Sequence, residues 1–330
     1  MRCVFVDTLR IFVIKLSISD SLFYFPYKPH SIEQERMMKM IRAKKTEFDT
    51  ACESIIQLVP CLAAVPGDIK SRATEIRLKV GQPLRVRYDD TYYITQDVVD
   101  SSIIQRCIEA FCRYSVHNYE NDISNGFITL KGGHRAGFCG TAVYNGDKLN
   151  YIKNISSVNI RIAREHKGCA EPLAELFGRE NVYGLLIAGK PLSGKTTLLR
   201  DLCRILGEKY RLSIIDERNE IAACYEGVNQ LSAGSMSDIF TGFCKKDGIE
   251  RAVRTMAPDY VVLDELGADA ESIRRLMNCG VGIIMTIHAQ SEKELMNNES
   301  VADLKRIGAL SHIAVLSGKA KGVVEKVINV

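Results

Sequence analysis

From Phe48 to Leu62 the apolar residues Phe48, Cys52, Ile55, Ile56, Val59 and Leu62 return every three or four positions, the period of a helix with one buried face. Pro66-Gly67 punctuates that run. The period then drops to two. Glu75-Ile-Arg-Leu-Lys-Val80 alternates strictly, Gly81-Gln82-Pro83 interrupts, and a second alternating run covers Leu84 to Tyr88, which together predict a β-hairpin. A helix is predicted around Ser101–Cys112, followed by short strands at Gly126–Leu130, His134–Thr141 and Ser157–Ala163. This front half reads as a small α+β domain with an antiparallel sheet.

Behind Lys167–Glu180, read as helix or linker, the texture changes. Unbroken apolar runs at Val182–Ala188, Leu212–Asp216, Tyr260–Leu263 and Val281–Thr286 are separated by helical spacings. Strands buried on both faces read this way, so a mostly parallel sheet covered by helices is expected. His312–Leu316, a Gly/Lys turn and Gly322–Val330 close the chain as a hairpin on the sheet edge.

Composition narrows the class. A chain of 330 residues, 46% hydrophobic and 25% charged, is an ordinary globular protein of about two domains. The net charge of +4 is too mild to argue for nucleic acid or acidic lipid as a partner. The longest stretch without Asp, Glu, Lys or Arg is Leu276–Ser291, 16 residues, short of the roughly 20 apolar residues of a membrane span. Eleven cysteines without a Cys-x-x-Cys spacing read as thiols in a reducing cytosol rather than disulfides or metal ligands. In the leader, Met1–Arg36, Asp7, Arg10 and Lys15 interrupt any signal-peptide core. It reads as poorly ordered, or as preceding a true start at Met37, Met38 or Met40, with a weak membrane-surface helix as the alternative.

One motif carries chemistry outright. Gly189-Lys190-Pro191-Leu192-Ser193-Gly194-Lys195-Thr196 fits the Gly-x-x-x-x-Gly-Lys-Ser/Thr phosphate loop, with a strand before it and the helix from Thr197 to Leu206 behind it. The two glycines let the backbone turn its amides toward phosphate oxygens at a helix N-terminus. Lys195 is placed for the β/γ oxygens, and the Thr196 hydroxyl for Mg²⁺. A second Mg²⁺ ligand is needed at a neighbouring strand end. Tyr260-Val-Val-Leu-Asp264-Glu265 supplies Asp264 for the metal, with Glu265 beside it to polarise an attacking water. Ser213–Arg218 ends likewise in Asp216-Glu217, for which a helix N-cap or an ion pair with Arg218 reads as readily as catalysis. Ile283–His288 ends in Thr286 and His288, the latter a hydrogen-bonding residue or a γ-phosphate or water sensor. In open α/β sheets the ligand sits at the carboxyl ends of the strands, where all three would meet.

These motifs, with Glu75–Pro83, Gly126–Arg135, Ile155–Arg164, Ile215–Ile221 and Arg254–Asp259, resemble the stage III sporulation protein AA family, relatives of secretion-type ATPases, over Phe48–Val330. The resemblance implies a RecA-like P-loop NTPase core over 167–330, preceded by the α+β domain at 37–166. It also implies ATP and Mg²⁺ as cofactors, and a homo-oligomer, a hexamer, on the mother-cell cytoplasmic face of the forespore-surrounding membrane. There the protein would energise a channel complex with other stage III membrane proteins. Asp216-Glu217 would fall in the acidic box, Asp264-Glu265 in the Walker B motif and His288 in the histidine box. Arg135 and Arg161 would close over the nucleotide. Arg251 and Arg254, on the expected helix before the Walker B strand, read first as a solvated face and second as subunit-boundary cations.

Other readings stay open. They are a nucleotide-gated scaffold with little turnover, a nucleic-acid translocase, for which no basic run exists, and a small-molecule kinase, against which the front domain argues.

Overall fold

The computed structural model describes residues 3–5, 11–14, 25–26, 46–115, 119, 122–123, 126–268, 270–318 and 320–330. The chain forms two compact units, Met1–Thr46 and Glu47–Val330. In the first, β1 (Cys3–Phe5), β2 (Ile11–Ile14) and β3 (Phe25–Pro26) pair antiparallel in that order. The expectations for Met1–Arg36 as a leader otherwise fall outside the described residues.

The second unit opens with α1 (Glu47–Ala51), and the predicted helix does not continue regularly. Amides from Cys52 to Val59 bond back three or four residues alternately, and Pro60–Leu62 closes as a 3₁₀ turn. Pro60 has no N–H to carry an α-helix through. The apolar face is as read, with Phe48, Cys52, Ile55, Val59 and Leu62 all buried. After α2 (Gly67–Arg72) come β4 (Ala73–Lys79), β5 (Pro83–Tyr88) and β6 (Thr91–Val98). Next are α3 (Ser101–Phe111), β7 (Phe127–Thr129), β8 (Arg135–Asn145) and β9 (Lys148–Arg161). The strands form an antiparallel sheet of order β6-β5-β4-β9-β8-β7. One face presents Ile76, Leu78, Leu84, Val86, Val158 and Ile160 to Phe48, Ile104 and Phe111.

Two short helices, α4 (Glu171–Ala174) and α5 (Leu176–Arg179), lead to β10 (Gly184–Gly189) and α6 (Lys195–Leu206). There follow β11 (Leu212–Asp216), β12 (Ser237–Thr241), α7 (Lys245–Thr255), β13 (Tyr260–Leu263), α8 (Ala270–Asn278) and β14 (Gly282–His288). The chain finishes with α9 (Glu292–Met296), α10 (Glu299–Arg306), β15 (His312–Leu316) and β16 (Val324–Asn329). The order β12-β11-β13-β14-β10-β15-β16 is parallel throughout except for antiparallel β16 at the edge. Successive residues serve opposite cores: Leu186, Leu263 and Met285 pack on one face, and Leu185, Ile187, Val262 and Ile284 on the other. Burial on both faces is what left these strands without alternation.

This order sets β13, β14 and β10 side by side, with Gly189 in register with His288 and Leu263 with Met285. Three chemistry-bearing strand ends thus share one edge.

Candidate functional site

The loop leaving β10 turns into α6 through Gly194, whose φ of 95° is the left-handed region a side chain resists. A Cβ on Gly194 would sit 2.5 Å from the Gly322 amide nitrogen, so space as well as torsion calls for glycine. Lys195 lies on the first turn of α6 and folds back. Its ammonium donates to the carbonyls of Gly189 (2.9 Å) and Lys190 (3.0 Å) and to His288 Nδ1 (2.8 Å). Burial lowers its pKa below that of a free lysine.

Thr196, one residue on, donates its hydroxyl to Asp264 Oδ2 at 3.1 Å. Asp264 directly follows β13 and also accepts from Thr286 Oγ1 at 2.9 Å. Thr286 Oγ1 in turn accepts from the Glu265 amide at 2.8 Å, which fixes Glu265 in a left-handed turn with φ 62°. Burial pushes the Asp264 carboxyl above the usual carboxylate range. Burial would raise Glu265 too, but the His288 hydrogen bond and the charges of Arg218 and Lys245 help outweigh it and hold the carboxyl low. Glu265 meets His288 Nε2 at 3.0 Å and Arg218 at 3.4 Å.

Lys195, Thr196, Asp264, Glu265 and His288 line a cleft of about 710 Å³ that runs between the two sheets of the second unit. From the antiparallel-sheet side come Gly133, on the turn before β8, and Arg135 and Arg161, register partners on β8 and β9. Arg135 stacks 4.7 Å above Phe127 and bonds Glu220 (2.9 Å) and the Asn219 carbonyl (2.9 Å). His134 is buried behind it, accepts the Ala163 amide on Nδ1 at 3.0 Å, and has its pKa pushed down to about 4 by burial.

The sequence candidates divide accordingly. Leu192, Gly194, Lys195, Thr196, Thr197, Asp264, Glu265, His288, Arg135 and Arg161 line the cleft together. Gly189 and Lys190 contribute carbonyls to Lys195, and Ser193 is buried beneath the loop; neither they nor Pro191 face the cleft. Glu217 is not among the cleft's lining residues; it pairs with Lys245 at 3.3 Å. Its neighbour Asp216 accepts the amides of Glu220, Ile221 and Ala222 and shapes the loop. That loop brings Glu220 into the cleft, and Arg200 ties it down through the Glu220 and Ile221 carbonyls at 2.7 and 3.1 Å. Sequence reasoning named neither Glu220 nor Arg200 as site residues; the helical spacing of Arg200, four after Thr196, was the available signal. Arg251 and Arg254 lie on α7, Arg254 in an exposed pair with Glu250 and Arg251 over Phe243.

Residues 62–329 match the family model described as "Sporulation stage III, protein AA". The stage III sporulation protein AA of Bacillus subtilis (strain 168) is 32% identical over 272 residues, 79% of this chain and 87% of that protein. An uncharacterized protein, ycf45 of Porphyra purpurea, is 23% identical over 278 residues, 82% of this chain but 46% of its own. The X-ray structure of the ATPase DotB of Yersinia pseudotuberculosis is similar at TM-score 0.50 and 18% identity, covering 78% of this chain and 75% of that one. This likeness is one of fold, a RecA-like α/β core preceded by a smaller α+β part.

Proposed function

The chain belongs to the stage III sporulation protein AA family, and from that premise we propose that its cleft binds ATP with Mg²⁺ and hydrolyses it to drive a secretion-like channel complex. The observation that carries the reading is the meeting of the Thr196 hydroxyl and the Asp264 carboxylate at 3.1 Å, directly beside the Lys195–His288–Glu265 chain. Two hard oxygen donors at a phosphate loop are the ligand type Mg²⁺ takes, and this pair would hold it. When bound, Mg²⁺ neutralises phosphate charge as it builds.

The loop amides cradle the phosphates, and Lys195 exchanges its carbonyl and histidine partners for phosphate oxygens. Glu265, kept ionised by its neighbours, is the group that orients and polarises water. Arg161, and Arg135 once it releases Glu220, supply positive charge from the opposite wall. Such a cation is worth roughly 10³–10⁵ in rate where it reaches the transferring group. A wall that must approach gives the cycle a mechanical stroke. We further propose a ring of subunits, hexameric, peripheral to the forespore-surrounding membrane and partnered with the other stage III proteins. Among the described residues no helix is long and apolar enough to cross a membrane.

Phosphate release from ATP–Mg²⁺ tests the proposal. Wild type should turn over, and Glu265→Gln should lose about 10²-fold or more while still binding nucleotide. Equal rates would remove the hydrolytic role of Glu265. A change in particle size on adding ATP–Mg²⁺ supports the ring, and a monomer under all conditions contradicts it.

A further inference from the structure

Five lysine and arginine residues line the cleft: Arg135, Arg161, Lys195, Arg200 and Lys321. Three are already engaged. Arg135 holds Glu220, Lys195 holds His288 and two carbonyls, and Arg200 holds the carbonyls of the Glu220 loop. Among the described residues, the side chains of Arg161 and Lys321 have no hydrogen bond or ion pair. Arg161 comes from the antiparallel sheet; Lys321 comes from the turn that joins β15 to β16.

That turn is fastened to the phosphate loop. The Gly322 amide donates to the Ser193 carbonyl at 2.7 Å, and the Ser317 amide to the Val323 carbonyl at 2.8 Å closes the turn behind it. The Cβ position of Gly194 lies 2.5 Å from the Gly322 nitrogen and 3.3 Å from the Lys321 carbonyl carbon. Lys321 therefore stands at the Ser193–Gly194 side of the loop, whereas Asp264 and His288 meet Thr196 and Lys195. Loop backbone of this kind cradles the α- and β-phosphates.

Resting on the nucleotide reading above, we infer that the β15–β16 turn is a wall of the same site and that Lys321 contacts the α/β-phosphates of the bound nucleotide. An ammonium at that end of the loop, exposed and without a partner among the described residues, contributes charge to nucleoside di- and triphosphates alike. It contributes nothing to the discrimination between them, which belongs to the Glu265 and His288 end. The turn's bond to Ser193 also links nucleotide occupancy to edge strand β16.

Titration of ADP–Mg²⁺ and ATP–Mg²⁺ into the full chain tests this. Lys321→Met should weaken both by a similar factor, about tenfold, as expected for loss of one charged hydrogen bond. Lys321→Arg should restore both to within about threefold. The thermal midpoint of Lys321→Met without nucleotide should equal wild type. In wild type, ADP–Mg²⁺ should slow hydrogen exchange at the Gly322 amide. Unchanged affinities in Lys321→Met would overturn the inference, as would weakened ATP binding with intact ADP binding, which would place the lysine at the γ-phosphate. If wild type binds neither nucleotide, the nucleotide reading itself fails.

Discussion

The Lys195 ammonium lies 2.8 Å from His288 Nδ1, and the far nitrogen of the same ring lies 3.0 Å from Glu265 Oε1. A lysine has only protons to give, so Nδ1 accepts and Nε2–H donates to the carboxylate. His288 thereby bridges Lys195 and Glu265, which in the nucleotide reading proposed above are the phosphate-binding cation and the water-polarising base. In that reading, arrival of phosphate at Lys195 loosens the ring's grip on Glu265. His288→Ala should lower phosphate release by roughly 10–100-fold through misplacement of Glu265, with ATP affinity nearly unchanged in an equilibrium titration. A variant that loses binding and turnover in equal measure would assign His288 to substrate binding instead.

Asp264 sets function against stability. Burial raises its carboxyl above the usual range, and the hydrogen bonds from Thr286 and Thr196 offset only part of that. A carboxyl whose folded pKa is raised favours the folded state when protonated, and that contribution is lost as pH rises through the folded value. At neutral pH the ionised group is therefore a burden in the absence of a cation. Asp264→Asn should raise the thermal midpoint at neutral pH without Mg²⁺ and abolish the Mg²⁺ dependence of ATP binding. A lowered midpoint together with retained Mg²⁺ dependence would contradict both halves.

His134 works in the opposite sense. Burial pushes its pKa from 6.5 down to about 4, so the neutral ring is the folded form. Its contribution is present above 6.5 and fades as pH falls toward about 4. His134→Asn offers the Ala163 amide an oxygen without a titrating ring, and acid unfolding should become flatter over that window. His134→Ala leaves the amide unpaired and should destabilise by about 1–3 kcal/mol at neutral pH. Denaturant midpoints of the three proteins across the window measure both effects.

Much of this was legible in the chain because local chemistry and global position agree. The phosphate loop follows from its Gly-x-x-x-x-Gly-Lys-Thr spacing, and β11, β13 and β15 from apolar runs that the sheet buries on both faces. β6 escaped because Tyr92, Ile94 and Val98 are apolar yet exposed, which erases the inside–outside alternation. β12 escaped because, of its five residues, Phe240 alone is buried. In the site, Glu217 and Glu220 are indistinguishable by spacing. Asp216 decides between them, since its three amide bonds curl the chain so that Glu220 faces Arg135 and Glu217 faces Lys245. Such a turn is a tertiary outcome that no periodicity announces.

Gly194 offers a test of the loop's shape. Its φ of 95° and the nearby Gly322 nitrogen make Gly194→Ala strained on both counts. A strained left-handed residue costs about 1–3 kcal/mol, so the variant should unfold at lower denaturant and bind nucleotide weakly even where folded. Gly227, at φ 77° with open space around it, is the control: alanine there should lower stability without touching binding.

The most direct check is a calorimetric titration of ATP–Mg²⁺ into the wild-type chain and Lys195→Ala. A single saturable site in wild type that vanishes in Lys195→Ala is the predicted result. Equal affinity in the two proteins, or heat absent from both, would contradict the assignment of the cleft to a nucleotide.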